Sequence, residues 1–289
     1  MKTTVQQLIA RAGAALESVG IESGRVDAEM ILCHVLGLER LDLYLHGDRL
    51  LNEERLARVD GIVKRRQTRY PLQYILGEMW FYGRRFEVTE AVMVPTPETE
   101  LLCEQAVKYL RSRSSLGARI LDVGTGSGVI GITVACELPE VTVTAIDVSA
   151  EAIEIARRNA QQAGVADRVE FRRSDMFSAI KLEERFGLIL SNPPYVSRQD
   201  YTTVPPEVKA DPMISIVSGE DGLDAIRRLL KDAPDFLAHD GRLMFEVGYD
   251  QAESVASITE TDPRYRSIDI IRDYNDIDRI VVLSLEADI

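Results

Sequence analysis

ARILDVGTGSG, residues 118–128, decides the fold. Its apolar run ends at Val123, too short for a helix, and reads as a buried strand. Glycines follow at alternate positions, Gly124, Gly126 and Gly128, where the backbone is free to take positive φ and to approach a ligand closely. This is the strand-to-helix corner of a parallel α/β unit, with the amide donors of a helix start aimed at an anionic group. Gly126, Gly128 and Gly131 also satisfy the G-x-G-x-x-G spacing of dinucleotide sites. That match begins two residues after the strand has ended, so its register argues against a dehydrogenase.

Working outward, apolar strands alternate with helical segments: a helix over 128–137, TVTAID at 142–147, a helix over 150–163 capped by Ser149 and closed by Gly164, RVEFRRSD at 168–175 and FGLILSN at 186–192. A helix over 223–233 leads to RLMFEVG at 242–248. The alternation predicts a mostly parallel, Rossmann-like sheet. SIDIIRDY (267–274) and RIVVLSL (279–285) are joined too tightly for a crossover helix and predict an antiparallel hairpin at the C-terminal sheet edge.

Before the sheet the texture is helical. Val5, Leu8, Ile9, Ala12, Leu16 and Val19 recur at helix spacing, Gly20 closes that run, and Asn52 caps a segment with acids in its first turn and bases in its last. Between Pro71 and Pro97 β-branched and aromatic residues take over, with Gly77 and Gly83 as turn points, which predicts a linking β-hairpin. The expected division is a small helical bundle over 1–72, a hairpin linker over 73–95 and the α/β domain over 96–289.

The 289 residues are 45% hydrophobic, enough for a sizeable core, and their longest apolar runs fall short of the ~18–20 residues that span a bilayer. No export signal is visible, so a cytoplasmic protein is expected. Cys33, Cys103 and Cys136 suit neither a disulfide framework nor paired metal ligands, and no bound metal is expected. The net charge of −13 repels phosphate backbones. Direct DNA binding and membrane binding are not expected; the basic runs KRRQTR (64–69) and YGRRF (82–86) read as solvated faces.

In an open α/β sheet, ligands sit beyond the carboxyl ends of the strands, so the loops belong together. The first carries Gly124, Thr125, Gly126, Ser127 and Gly128. The second carries Asp147, placed to accept both hydroxyls of a ribose. The third, SDMF, places Asp175 to accept from an adenine amino group, with Met176 and Phe177 covering the ring. Together these make an adenosine-shaped slot beside a glycine cradle.

The fourth loop continues LILSNPPYVSRQ, 188–199. Two prolines cannot donate to a strand ladder. Around them, Asn192 offers a side-chain carbonyl, the backbone carbonyl before or at Pro193 lacks a strand partner, and Tyr195 offers a flat face. Two such acceptors beside a ring would take both hydrogens of a planar NH₂ group and turn its nitrogen toward the slot.

DVGTGSG, AID, SDMF and SNPPY resemble the motifs of class I S-adenosylmethionine-dependent methyltransferases. NPPY is similar to the element that amino-methylating members use, whether on DNA adenine, rRNA guanine or protein glutamine. The helical N-terminal part, PLQYILGEMWFYGRRFEV, VPTPETELL, SGEDGLDAIRRLL, FEVGYDQAESV and IIRDYNDIDRIVVL resemble the PrmC/HemK family over nearly the whole chain. That resemblance implies N5 methylation of the glutamine in the Gly-Gly-Gln loop of bacterial peptide chain release factors, with S-adenosyl-L-methionine as cofactor and S-adenosyl-L-homocysteine as product. It implies that Gly124–Gly128 hold the methionine part, Asp147 the ribose, Asp175 and Met176 the adenine, and that Asn192, Pro193, Pro194 and Tyr195 hold the glutamine amide, Asn192 also touching the cofactor. A helical domain for substrate recognition and a monomeric enzyme are expected.

Two departures from the family pattern stand out: Thr96 replaces an arginine, and Asn275 stands where a glycine is frequent, a position asparagine tolerates at positive φ. The stretch 196–222, with Pro205, Pro206 and Pro212, is too long for a bare connection and is expected to wall the substrate side. An amino-methyltransferase acting on DNA or RNA remains the alternative; it should carry a basic recognition surface, which the charge balance opposes.

Overall fold

The computed structural model describes residues 3–113 and 118–285. Among these the chain separates into two compact units. Residues through Glu78, together with Pro205–Ala210, form the first, and Met79–Val204 with the chain from Asp211 onward form the second.

The first unit is helical: α1 (Val5–Glu17), α2 (Gly24–Leu36), α3 (Arg40–Leu45), α4 (Glu53–Arg66) and α5 (Leu72–Leu76). Thr4 and Gln7 close a capping box at the start of α1, and Asn52 accepts from the Arg55 amide at the start of α4, as its sequence predicts. Leu8, Leu16, Ile31, Leu32 and Val59 are fully enclosed in the core, each contributing about 1.5–3 kcal/mol by burial. A Cβ on Gly24 would stand 2.7 Å from the Gly13 carbonyl oxygen, so this close approach between α1 and α2 requires glycine. α5 occupies the stretch whose texture suggested a strand. Gly77, at φ +74°, ends it in the left-handed conformation.

The basic run 64–69 is only partly a solvated face. Arg66, 6% exposed, pairs with Asp27 at 2.8 Å and with Glu207 at 2.9 Å, and Arg69 grips both oxygens of Glu207 at 2.7 and 2.9 Å. Glu207 lies in α9 (Pro206–Lys209), inside the long stretch after NPPY, and these pairs hold that piece of chain on the helical unit.

The second unit, from Met79 on, carries the hairpin of β1 (Glu78–Phe81) and β2 (Arg84–Glu87), in which Phe81 is buried and Trp80 exposed, as the period of a strand requires. Then come α6 (Pro97–Ser112), β3 (Arg119–Val123), α7 (Val129–Glu137), β4 (Thr142–Asp147), α8 (Ala150–Gln162), β5 (Val169–Arg173) and β6 (Phe186–Ser191). The unit closes with α10 (Asp224–Asp232), β7 (Leu237–Glu246), α11 (Ala252–Glu260), β8 (Ser267–Arg272) and β9 (Asp278–Ser284).

Strand order in the seven-stranded sheet is β5-β4-β3-β6-β7-β9-β8. β3 to β7 run parallel, and β9 is antiparallel to both β7 and β8, so the edge hairpin is where the sequence predicts it. From β3 the chain moves outward one way through β4 and β5, then returns to add β6 on the other side, and this switch point opens a crevice above β3 and β6. The positive φ of the last turn belongs to Asp276 (+62°), not to Asn275, which corrects the expected use of that asparagine. Asp273 organises the turn by accepting from the amides of Asn275 and Ile277.

Candidate active site

The crevice holds a cavity of about 410 Å³ whose walls come from the loops after β3, β4, β5 and β6. Gly124, Thr125, Gly126, Ser127, Asp147, Asp175, Met176, Asn192 and Pro194 all line it, with Thr99 from α6 and Pro212, Ile214 and Ser215 from the long loop.

Gly124 and Gly126 take φ of +72° and +55°, and open space lies where a Cβ would stand. Gly128, at φ +86°, serves packing instead, since its Cβ would meet the Ile132 side chain at 2.6 Å and Ala156 at 3.1 Å. It lets α7 start close against α8, and it does not face the cavity. Thr125 donates to the buried Asp122 at 2.6 Å, and Gly131 N–H donates to the same oxygen at 3.0 Å. Burial pushes the Asp122 carboxyl up to about 6, against those two hydrogen bonds. The buried Ser127 hydroxyl has no partner among the described residues.

Asp147, at the tip of β4, accepts from Gly126 N–H and Ser149 N–H, each at 2.9 Å. Burial raises its pKa and these amides lower it. A carboxylate has about four lone-pair sites, so Asp147 keeps acceptor capacity for the cavity. Asp175 pairs with Arg228 at 2.8 Å, and both side chains are more than half exposed. Phe177 does not cover a ligand: it is 5% exposed and stacks on Phe236 with centroids 4.9 Å apart, because the short helical turn after Asp175 carries it into the core.

The register Ser191↔Phe245 between β6 and β7 puts the next residues, Asn192 and Glu246, side by side at the carboxyl end of the sheet. Asn192 Nδ2 donates to Thr99 Oγ1 at 3.0 Å, Thr99 Oγ1 donates to Glu246 Oε2 at 2.8 Å, and Tyr195 donates through its hydroxyl to Glu246 Oε1 at 3.1 Å. Glu246 and Thr99 are each 1% exposed. Burial raises the Glu246 carboxyl to about 7, the two hydroxyl donors working the other way. Gln251 Nε2 donates to the Tyr195 carbonyl at 2.8 Å and its Oε1 accepts from Gly248 N–H at 2.9 Å. Gly222 also packs here, where a Cβ would come within 2.3 Å of the Tyr195 carbonyl. NPPY is thus held at both ends from behind. Pro193 and Tyr195 belong to this frame, and the cavity wall takes Asn192 and Pro194. Thr96 is the N-cap residue of α6; its hydroxyl makes no capping hydrogen bond to the helix and lies 3.5 Å from that of Thr99.

Thr99, Glu246, Gln251 and Arg228 are site residues that motif reading misses. A signal existed for one of them: Glu246 is an acid directly after the apolar LMF of a central strand, where an ionisable group is rare without partners.

A family model described as the PrmC N-terminal domain matches residues 7–77, and one described as the methyltransferase small domain matches 99–208. The release factor glutamine methyltransferase of Chlorobaculum tepidum is 40% identical to this chain, covering 90% of each; that of Koribacter versatilis is 39% identical, covering 96% of this chain and 98% of its own. The chain belongs to the release factor glutamine methyltransferase family. Among solved structures, the human METTL16 catalytic domain in complex with an RNA hairpin matches with a TM-score of 0.57 at 14% identity, over 84% of this chain and 86% of that one. The METTL16 N-terminal domain in complex with SAH matches at 0.52 and 15%, over 88% and 94%. At such identity these share the methyltransferase fold alone. Within the release factor glutamine methyltransferase family, then, this member combines the glycine loop, Asp147 and a buttressed NPPY around one cavity.

Proposed function

We propose that this enzyme transfers a methyl group from S-adenosyl-L-methionine to N5 of the glutamine in the Gly-Gly-Gln loop of bacterial peptide chain release factors. The observation that carries the reading is the Asn192 side chain, its Nδ2 tied to Thr99 and its Oδ1 left as an acceptor on the cavity that the glycine loop and Asp147 share. The residues present suit the cofactor. Open space over Gly124 and Gly126 admits its methionine part, Asp147 keeps acceptor sites for ribose hydroxyls, and Asp175 with Met176 stands where adenine would lie.

The cofactor supplies an electrophilic methyl group on a positively charged sulfur. The chain supplies orientation. Asn192 Oδ1 and the backbone carbonyl before or at Pro193 take the two hydrogens of the glutamine NH₂ and aim its nitrogen at the cavity. Both acceptors strengthen their hold as positive charge grows on that nitrogen, which favours the transition state over the bound substrate. No base is needed beforehand, since the nitrogen becomes acidic once alkylated.

The helical unit recognises the release factor in this reading, and the reaction takes place in the cytoplasm. A nucleic-acid substrate is less well served: the chain carries −13 overall, and Arg66 and Arg69 of its basic run are occupied by Glu207. The test is to offer labelled cofactor with purified release factor, ribosomal RNA or duplex DNA in parallel. Label is expected in the release factor alone; label in a nucleic acid and none in the protein would overturn the proposal.

A further inference from the structure

We propose that Glu246 is a positioning residue that acts through Thr99 to fix which end of the Asn192 amide faces the substrate. The proposal rests on the reading that Asn192 accepts from the substrate nitrogen. An asparagine side chain is nearly symmetric in shape, and its terminal torsion has two broad, roughly equivalent wells. Turned one way it offers the substrate an acceptor, and turned the other way it offers an NH₂ group that would face another NH₂ group.

Shape does not choose between these, but the hydrogen-bond chain does. A carboxylate only accepts, so the single proton of the Thr99 hydroxyl is committed to Glu246 Oε2, 2.8 Å away. Its oxygen can then only accept from Asn192, and it does so from Nδ2 at 3.0 Å. Nδ2 therefore points to the wall and Oδ1 to the cavity. With Thr99 and Glu246 each 1% exposed, bulk water does not substitute for either partner. Glu246 also receives the Tyr195 hydroxyl at 3.1 Å, so one buried carboxylate sets both ends of the NPPY element.

The test is a set of variants assayed with intact release factor. Thr99→Val keeps the side-chain shape and removes the hydroxyl; it is expected to lower kcat by about 10- to 100-fold, the range for losing an outer partner of an oriented ligand. KM for release factor and cofactor affinity should move less than about threefold, and Thr99→Ser should restore kcat. A double-mutant cycle separates orientation from plain packing. Once Asn192 is alanine, Thr99→Val should cause little further loss, whereas a packing role would give independent, multiplying losses. Thr99→Ala removes the same hydroxyl and serves if the valine variant does not fold. Wild-type kcat in a hydroxyl-free variant, or multiplying losses in the cycle, overturns the proposal. Wild-type kcat in Asn192→Ala itself would instead overturn the underlying reading of Asn192.

Discussion

The carboxylate of Asp147 accepts the Gly126 backbone amide at 2.9 Å, so the residue at the tip of β4 fixes the conformation of the glycine loop at the tip of β3. It also accepts from Ser149 N–H, so the glycine loop and the loop that starts α8 meet on one side chain. Asp147→Ala should therefore do more than remove acceptors for a ribose. It leaves two amides without their partner and loosens the loop. With charge-assisted hydrogen bonds worth roughly 1.5–3 kcal/mol each, cofactor affinity should fall by about 100-fold or more. Calorimetric titration checks this, and Asp147→Asn, which keeps an acceptor oxygen, should lose less.

Alanine at two glycines two residues apart should have different effects. Gly126→Ala meets open space and strains only the backbone, by about 1–2 kcal/mol, so its main effect should be weaker cofactor binding. Gly128→Ala adds a clash with Ile132 and Ala156 to the same strain and should lower stability by about 2–4 kcal/mol. Thermal unfolding beside cofactor titration separates the two effects.

Removing the acceptor at Asn192 should be felt in turnover. By analogy with a lost oxyanion-hole donor, Asn192→Ala should slow methyl transfer by roughly 10²–10³, measured in single turnover with enzyme and cofactor in excess over release factor.

Glu246 predicts a pH dependence of rate. The groups around it are Thr99, Tyr195, Glu98 and Arg279; burial dominates, and its carboxyl sits at about 7. Only the ionised form must accept the Thr99 proton, so kcat should rise with pH to a plateau above about pH 7. The slope should flatten in Glu246→Gln. Stability should run the other way. A carboxyl whose folded pKa is raised from 4.5 to about 7 holds its proton longer folded than unfolded, so its contribution is full below about 4.5 and is lost as pH rises through 7. Asp122, raised from 3.8 to about 6, adds to the same decline. The melting temperature of Asp122→Asn should vary less across that window.

Glu207 ties the Pro205–Ala210 segment to the helical unit through Arg66 and Arg69. Glu207→Ala should increase proteolytic cleavage between residues 203 and 213 and leave cofactor affinity within about twofold. It should destabilise by about 1–3 kcal/mol, less than a lone buried pair, because Arg66 keeps Asp27. Limited proteolysis followed by mass mapping reports the cleavage sites.

Strand-by-strand order was legible because the apolar runs are short and most are separated by 3.6-period helices; Gly124 and Pro193 mark the ends of β3 and β6, and TVTAID coincides with β4 residue for residue. The cofactor loops were legible because glycine and acid at strand ends are local signals. The support behind NPPY was not. Thr99 and Glu246 lie 93 and 54 residues from Asn192 in the chain; the register of β6 on β7 brings Glu246 beside it, and the packing of α6 against β7 brings Thr99. Phe177 misled because its neighbours in SDMF face the cavity, yet the turn there rotates alternate side chains into the core. α5 misled because Gly77 and the core contact of Leu72 outweighed β propensity.

The most direct measurement is mass spectrometry of a purified release factor after incubation with this protein and isotopically labelled S-adenosyl-L-methionine. A single labelled methyl on the Gly-Gly-Gln glutamine, absent when that glutamine is substituted, is the predicted result. An unmodified glutamine, from enzyme that demonstrably binds the cofactor, would contradict the account.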